Sequence, residues 1–177
     1  MRILAPEEPA LDLDRLHDPE LEGLTRLGVA ELRLLYEGGR CPSVEALSGA
    51  PRGRMLAVAR LDEGLPRRAL ARLARGGRFP WAGKSFAHEG EARGRGINRI
   101  RLLGRREWYP FTTRVEDSVL DGQPCLLLDY DHPGNPWFIR RIRDELREVG
   151  PGLYLGPALF RLRGEHRLVL FFAIDHS

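Results

Sequence analysis

The sequence predicts an α+β, mainly β fold: an antiparallel barrel or strongly curved sheet, with an N-terminal helix and a second helix inserted between strands. Three observations carry this. After Gly77 the apolar residues recur at intervals near two, and β-branched and aromatic residues gather there. Turn signals separate these runs at regular spacing, with Asp121-Gly122 and Gly164-Glu165 as hairpin turns. The last run, "HRLVLFFAID" (His166 to Asp175), is apolar on both faces, so it must be covered on both sides. Hairpin-linked strands expose two sheet edges unless the sheet closes on itself, and small closed barrels can hold one small ligand.

The elements follow in order. In "HDPELEGLTRLGVAELRLLYEGG", Asp18 suits an N-cap, Pro19 the first helical position, and Gly38-Gly39 the stop. Leu21, Leu24, Gly28, Leu32 and Leu35 share a face of that helix. Ser43 caps a short helix through Leu47, and Ser48 to Gly53 is a turn region. Arg54 to Leu61 reads as a strand and Leu65 to Gly77 as a helix. Further strands are expected at Trp81 to His88, Ile97 to Leu103, Arg106 to Val115, Pro124 to Tyr130, Leu153 to Leu162 and His166 to Ile174. "GRGIN" (Gly94 to Asn98) lacks the third glycine and the βαβ setting of a dinucleotide fingerprint and is assigned a turn. "NPWFIRRIRDELREVGPG" reads as the inserted helix. Asn135 caps it, Pro136 opens it, Ile139, Ile142, Leu146 and Val149 form its stripe, and Gly150-Pro151 end it. Residues 1–47 are then expected as a helical segment packed on a β domain of residues 48–177, the two forming one folding unit.

Composition narrows the function. A chain of 177 residues with 42% hydrophobic content buries one core. No run of about 18 apolar residues occurs, so no membrane span is expected. The opening "MRILAPEEPALDLD" lacks the basic start and long apolar stretch of a secretory signal, which favours a cytoplasmic protein. Cys41 and Cys125 are unconnected thiols, and with five scattered histidines they show no metal-ligand spacing, so neither metal nor other cofactor is expected. The net charge of +3 comes from 28 bases against 25 acids that alternate locally. The basic run "RRALARLAR" has no interleaved aromatics and no nucleic-acid-binding signature, so a nucleic-acid partner is not expected.

Two stretches carry a resemblance. "GAPRG" (Gly49 to Gly53) followed by "WAGKSF" (Trp81 to Phe86) resembles bacterial uncharacterised domains named for a Gly-x-Trp-x-Gly motif, in which a Trp-x-Gly-Lys-x-Phe segment also follows. Pro51 stands where that motif has Trp. The segment from Phe111 to Gly156 is similar to hypothetical bacterial proteins, through "LDGQP", "DY", "NP", "DELR" and "GLYLG". The resemblance implies a lipocalin-like shape and supplies no reaction.

Three groups of residues are candidates for chemistry. Lys84 is the only lysine among the 28 basic residues. An amine differs from a guanidinium in being a compact charge whose pKa responds to burial and in being a potential nucleophile. Strand alternation puts Lys84 with Ala82, Phe86 and His88 on one face and Trp81 on the other. Parity alone does not say which face is inside. Asp129, Asp131 and His132 sit at a strand end, where an Asp–His pair can perform acid–base chemistry, although acids near turns also bond to backbone amides. Asp117, Ser118 and His132 lack the nucleophile elbow of a hydrolase. Trp81, Phe86, Trp108, Phe111 and Tyr130 are candidate wall residues of a ligand pocket. The leading expectation is binding of a small hydrophobic or amphipathic molecule in a barrel cavity, with Lys84 as polar anchor. The alternatives are an isomerase, cyclase or hydrolase using Lys84 or Asp129 with His132, and an interaction module using the first helix.

Overall fold

A computed structural model describes residues 20–58, 81–90, 93–101 and 105–176. The expected helix at Leu65 to Gly77, and Asp18 and Pro19 of the first helix, lie outside these residues. Among the described residues, eight antiparallel strands close into a barrel in sequence order. They are β1 (Arg52–Val58), β2 (Trp81–His88), β3 (Arg93–Arg101), β4 (Arg105–Asp117), β5 (Pro124–Asp129), β6 (Ile142–Gly150), β7 (Leu153–Leu162) and β8 (Glu165–Asp175). β8 pairs with β1, Arg52 opposite Asp175, which closes the ring and removes both sheet edges. Gly122 and Gly164 have positive φ in the β4–β5 and β7–β8 turns, as those hairpin positions require.

The inserted helix is a strand. Residues Ile142–Gly150 are β6, paired with β5 and β7, and only Ile139–Arg141 make a short 3-10 turn ahead of it. The helical stripe through Ile142 and Leu146 coincides with a period of two. Ile142, Asp144 and Leu146 belong to the barrel interior, while Glu145 and Arg147 meet groups outside it. Charged residues on both faces hide the alternation in the sequence, and paired neighbours on both sides outweigh helix propensity. Asn135 is no helix cap, because its Nδ2 donates to Pro110 O at 2.8 Å and to Tyr130 O at 2.9 Å.

The first helix is broken. α1 covers Leu21–Leu24 and α2 covers Val29–Glu37. Gly28, expected on the stripe, is the N-cap of α2, and its N–H donates to Glu31 Oε2 at 2.7 Å. Thr25 Oγ1 donates back to Glu22 O at 2.7 Å, which favours a turn there over a continuing helix. The "GRGIN" segment lies within β3, not in a turn. Its glycines make room: a Cβ on Gly96 would collide with the Phe111 ring, and one on Gly94 would stand 2.6 Å from Val44 Cγ1.

The core has two layers. Outside the barrel, Leu24, Leu32, Leu35 and Tyr36 of the helices pack on Leu153, Leu155, Phe171 and Ala173 of β7 and β8. The helices are therefore the outer cover that the doubly apolar β8 demands. Each fully buried leucine or phenylalanine among them contributes about 1.5–3 kcal/mol. A buried polar seam joins α2 to β6. Tyr36 Oη donates to Glu145 Oε2 at 2.8 Å, and Arg147 Nη1 and Nη2 donate to Asp121 at 2.6 and 2.8 Å. Inside the barrel, Val44, Leu47, Phe86, Phe111, Leu126, Leu128, Leu146 and Tyr154 form a solid core with the 41–49 segment against it. Beside that core, buried side chains including Tyr130, Ile139, Val169, Leu170 and Phe172 surround a cavity.

Candidate functional site

A β-bulge builds the site. In the β2–β3 ladder Trp81 pairs with Ile100 and Gly83 with Arg99, which leaves Ala82 as an extra residue. The bulge reverses the phase of the strand, so Trp81 and Lys84, expected on opposite faces, both line the cavity. Gly83 sits at φ 121°, and a Cβ there would stand 2.5 Å from Pro51 O and 2.8 Å from Gly53 N. The position Pro51 occupies thus serves the barrel through its backbone carbonyl, which also accepts from Arg99 Nη2. A second bulge, in the β3–β4 ladder, leaves Tyr109 between Pro110 and Trp108. Tyr109 has φ 61° and also lines the cavity. Such strain in a non-glycine residue persists only where its surroundings hold it.

The cavity has a volume of about 120 Å³. Met55, Ile100, Ile139, Ile142, Ala158, Leu159, Val169, Leu170 and Phe172 give it an apolar wall. Its polar part is one cluster drawn from four elements. Lys84, 3% exposed, comes from β2, Asn98 from β3, and Asp144, 4% exposed, from β6. Tyr130, also buried, follows the end of β5.

The hydrogens can be assigned throughout this cluster. Lys84 Nζ donates to Asn98 Oδ1 and Asp144 Oδ2, each at 2.9 Å, and to Tyr130 Oη. Those three bonds use all three ammonium hydrogens. Trp81 Nε1 donates to Asn98 Oδ1 at 3.1 Å, and an indole can only donate, so the amide orientation is fixed. Asn98 Nδ2 then donates to Tyr130 Oη at 3.1 Å and to Tyr109 O at 3.3 Å. Tyr130 Oη spends its one hydrogen on Asp144 Oδ2 at 3.0 Å. Asp144 Oδ1 is buried and has no hydrogen-bond partner among the described residues.

Charge and burial set the protonation. Burial pushes the Lys84 amine below its ordinary pKa, and the Asp144 carboxylate opposes that shift. Burial, then the negative Asp144, holds the Tyr130 phenol well above its usual range, so it stays a donor. The ammonium is also ringed by aromatic faces, 5.1 Å from the Phe172 centroid, 5.2 Å from Tyr130, 5.3 Å from Phe111 and 5.4 Å from Trp81. A tetrahedral ammonium suits three converging acceptors inside such a box. A planar guanidinium does not.

Of the residues expected at a site, Trp81, Lys84 and Tyr130 line the cavity. Phe86 and Phe111 are buried in the solid core beside it, with rings 5.5 Å apart. Trp108 is 41% exposed and lies outside the lining. Asp129 is outside it too, bonded to Arg114 Nη1 at 2.9 Å and to Asp131 N at 2.9 Å. His132 is exposed, and its Nδ1 accepts from Gly134 N at 3.2 Å. Asp129 and His132 therefore follow the turn-stabilising alternative, and no bond joins their side chains. Among the described residues, no group of His, Cys, Asp and Glu is placed to hold a metal ion, and no helix is long and apolar enough to cross a membrane. Asn98 and Asp144 were not expected. Their one sequence signal is a polar residue at an inward register position, visible only once β3 and β6 are known to be strands.

No protein-family model and no curated protein matches the chain. A protein from Thermomonospora curvata, known from a crystal structure, is similar in fold. Its TM-score is 0.53 at 18% identity, over 84% of this chain and 87% of that one. That likeness is one of fold alone.

Proposed function

We propose that this barrel binds a small, largely apolar molecule in its interior, with the Lys84–Asp144 cluster as the polar anchor. The observation that supports the reading is a cavity with an apolar wall and one preorganised polar cluster at its edge. Ligand sites have this composition, mostly apolar with a few placed polar groups. Lys84 organises the anchor without offering a free hydrogen, since its three donors are engaged. The same engagement weighs against an amine nucleophile, because Asp144 at 2.9 Å stabilises the protonated form. The first helix is spent on β7 and β8, with Leu32 and Tyr36 fully buried, which weighs against its use as a docking surface.

Native mass spectrometry of the purified protein tests the reading. A mass adduct is expected on the wild-type chain, released on denaturation, and lost in Ile142→Phe, which fills the cavity from its wall. An adduct retained in Ile142→Phe would place the ligand elsewhere and overturn the proposal.

A further inference from the structure

We infer that the cavity selects a neutral, single-ring hydroxyl compound of about phenol size, whose O–H donates to Asp144 Oδ1. The inference rests on the binding reading above and adds the chemical class of the ligand.

Size sets the first limit. A cavity of about 120 Å³ is close to the engineered cavity of about 150 Å³ that takes up benzene, and well below the roughly 300–1,000 Å³ of sites for larger ligands. Fatty acids, tetrapyrroles and nucleotides are too large to sit wholly inside it. One six-membered ring fits the scale.

The hydrogen-bond inventory sets the second. Lys84, Asn98, Trp81 and Tyr130 have spent their donors on one another, on Asp144 Oδ2 and on Tyr109 O. The cluster therefore has no free hydrogen for a ligand carboxylate or carbonyl. Its one unpaired group is an acceptor, Asp144 Oδ1, buried without a partner among the described residues and belonging to a residue that lines the cavity, so a ligand donor must press against the wall to reach it. A buried carboxylate oxygen left without a donor is costly, so a ligand that brings one gains more than an ordinary hydrogen bond.

Charge sets the third. Lys84 and Asp144 cancel. A ligand carboxylate would add an unpaired buried charge facing another oxygen, and a ligand ammonium would add an unpaired positive charge. A hydroxyl supplies the donor and adds no charge.

The test is a titration of the full chain with phenol, toluene and benzoate, followed by the indole N–H signals in ¹⁵N-edited NMR. Trp81 lines the cavity and reports binding, while the exposed Trp108 and Trp137 serve as internal controls. Phenol is expected to move the Trp81 signal with at least about tenfold higher affinity than its isostere toluene. Benzoate is expected to leave that signal unmoved, and Ile142→Phe to abolish the phenol response. Equal affinities for phenol and toluene would overturn the donor assignment and leave cavity binding standing. Tightest binding by benzoate would overturn it in favour of Lys84 as the direct contact. No response to any of the three would overturn the size assignment and count against the binding reading as well.

Discussion

Lys84 and Asp144 form a buried ion pair, and such pairs are seldom the cheapest way to fill an interior. Removing one partner strands the other as an uncompensated charge, which typically costs about 3–5 kcal/mol. Replacing both with apolar groups is often neutral or stabilising. Lys84→Met is therefore expected to destabilise the barrel by about 3–5 kcal/mol in urea denaturation, and Lys84→Met with Asp144→Leu to regain much of that loss. The double variant should at the same time lose its preference for phenol over toluene. Stability recovered with selectivity gone would identify the pair as a functional investment. A double variant no more stable than Lys84→Met would show instead that the network of Asn98, Tyr130 and Trp81 depends on both charges to hold its shape.

At the scale of elements, the bulge in β2 decides what Lys84 can reach. Gly83 at φ 121° lets the chain pass the backbone of Pro51 and Gly53, and Gly53 in turn leaves room for the Trp81 ring, 2.5 Å from where its Cβ would stand. Gly83→Ala must strain its own backbone and push against two backbone atoms. A loss of about 1–3 kcal/mol is expected, together with a shift of the Trp81 indole signal. A variant with wild-type stability and an unmoved Trp81 signal would mean that the bulge is not fixed by this glycine. Much of the architecture was legible: seven strands came from alternation and turn residues, and β8 announced its outer helix cover through apolar residues on both faces. Lys84 stood out because it is alone among arginines. Its partners did not. Asp144 lay in a segment whose Ile142 and Leu146 satisfy a helical stripe and an inward strand face equally well. The bulges at Ala82 and Tyr109 leave no composition signal, because each is set by the register of two strands.

For the whole molecule, hydroxyl and thiol groups buried in both layers give stability a common dependence on pH. Inside the barrel, burial and then Asp144 hold the Tyr130 phenol well above its ordinary 10.0. Between the barrel and α2, burial and then Glu145 raise Tyr36 in the same direction and push the Cys125 thiol from 9.0 up to about 12. Each group keeps its proton in the folded chain at a pH where the unfolded chain has released it. The folded state then binds more protons, so stability is complete below about pH 9 and falls as pH rises above that. Lys84 acts with the opposite sign. Its pKa is lowered by burial from 10.5, so its unfolded form holds the proton more firmly and its contribution improves toward pH 10.5. Burial raises Tyr154 and Cys41 in the same direction as these three, so several groups oppose one and a net loss is expected. The urea midpoint should hold steady up to about pH 9 and then decline, and Tyr130→Phe should lessen the steepness of that decline whatever it costs at neutral pH. A midpoint unchanged to about pH 11 in both the wild type and Tyr130→Phe would mean that these hydroxyls ionise as freely folded as unfolded, and would overturn the assignment.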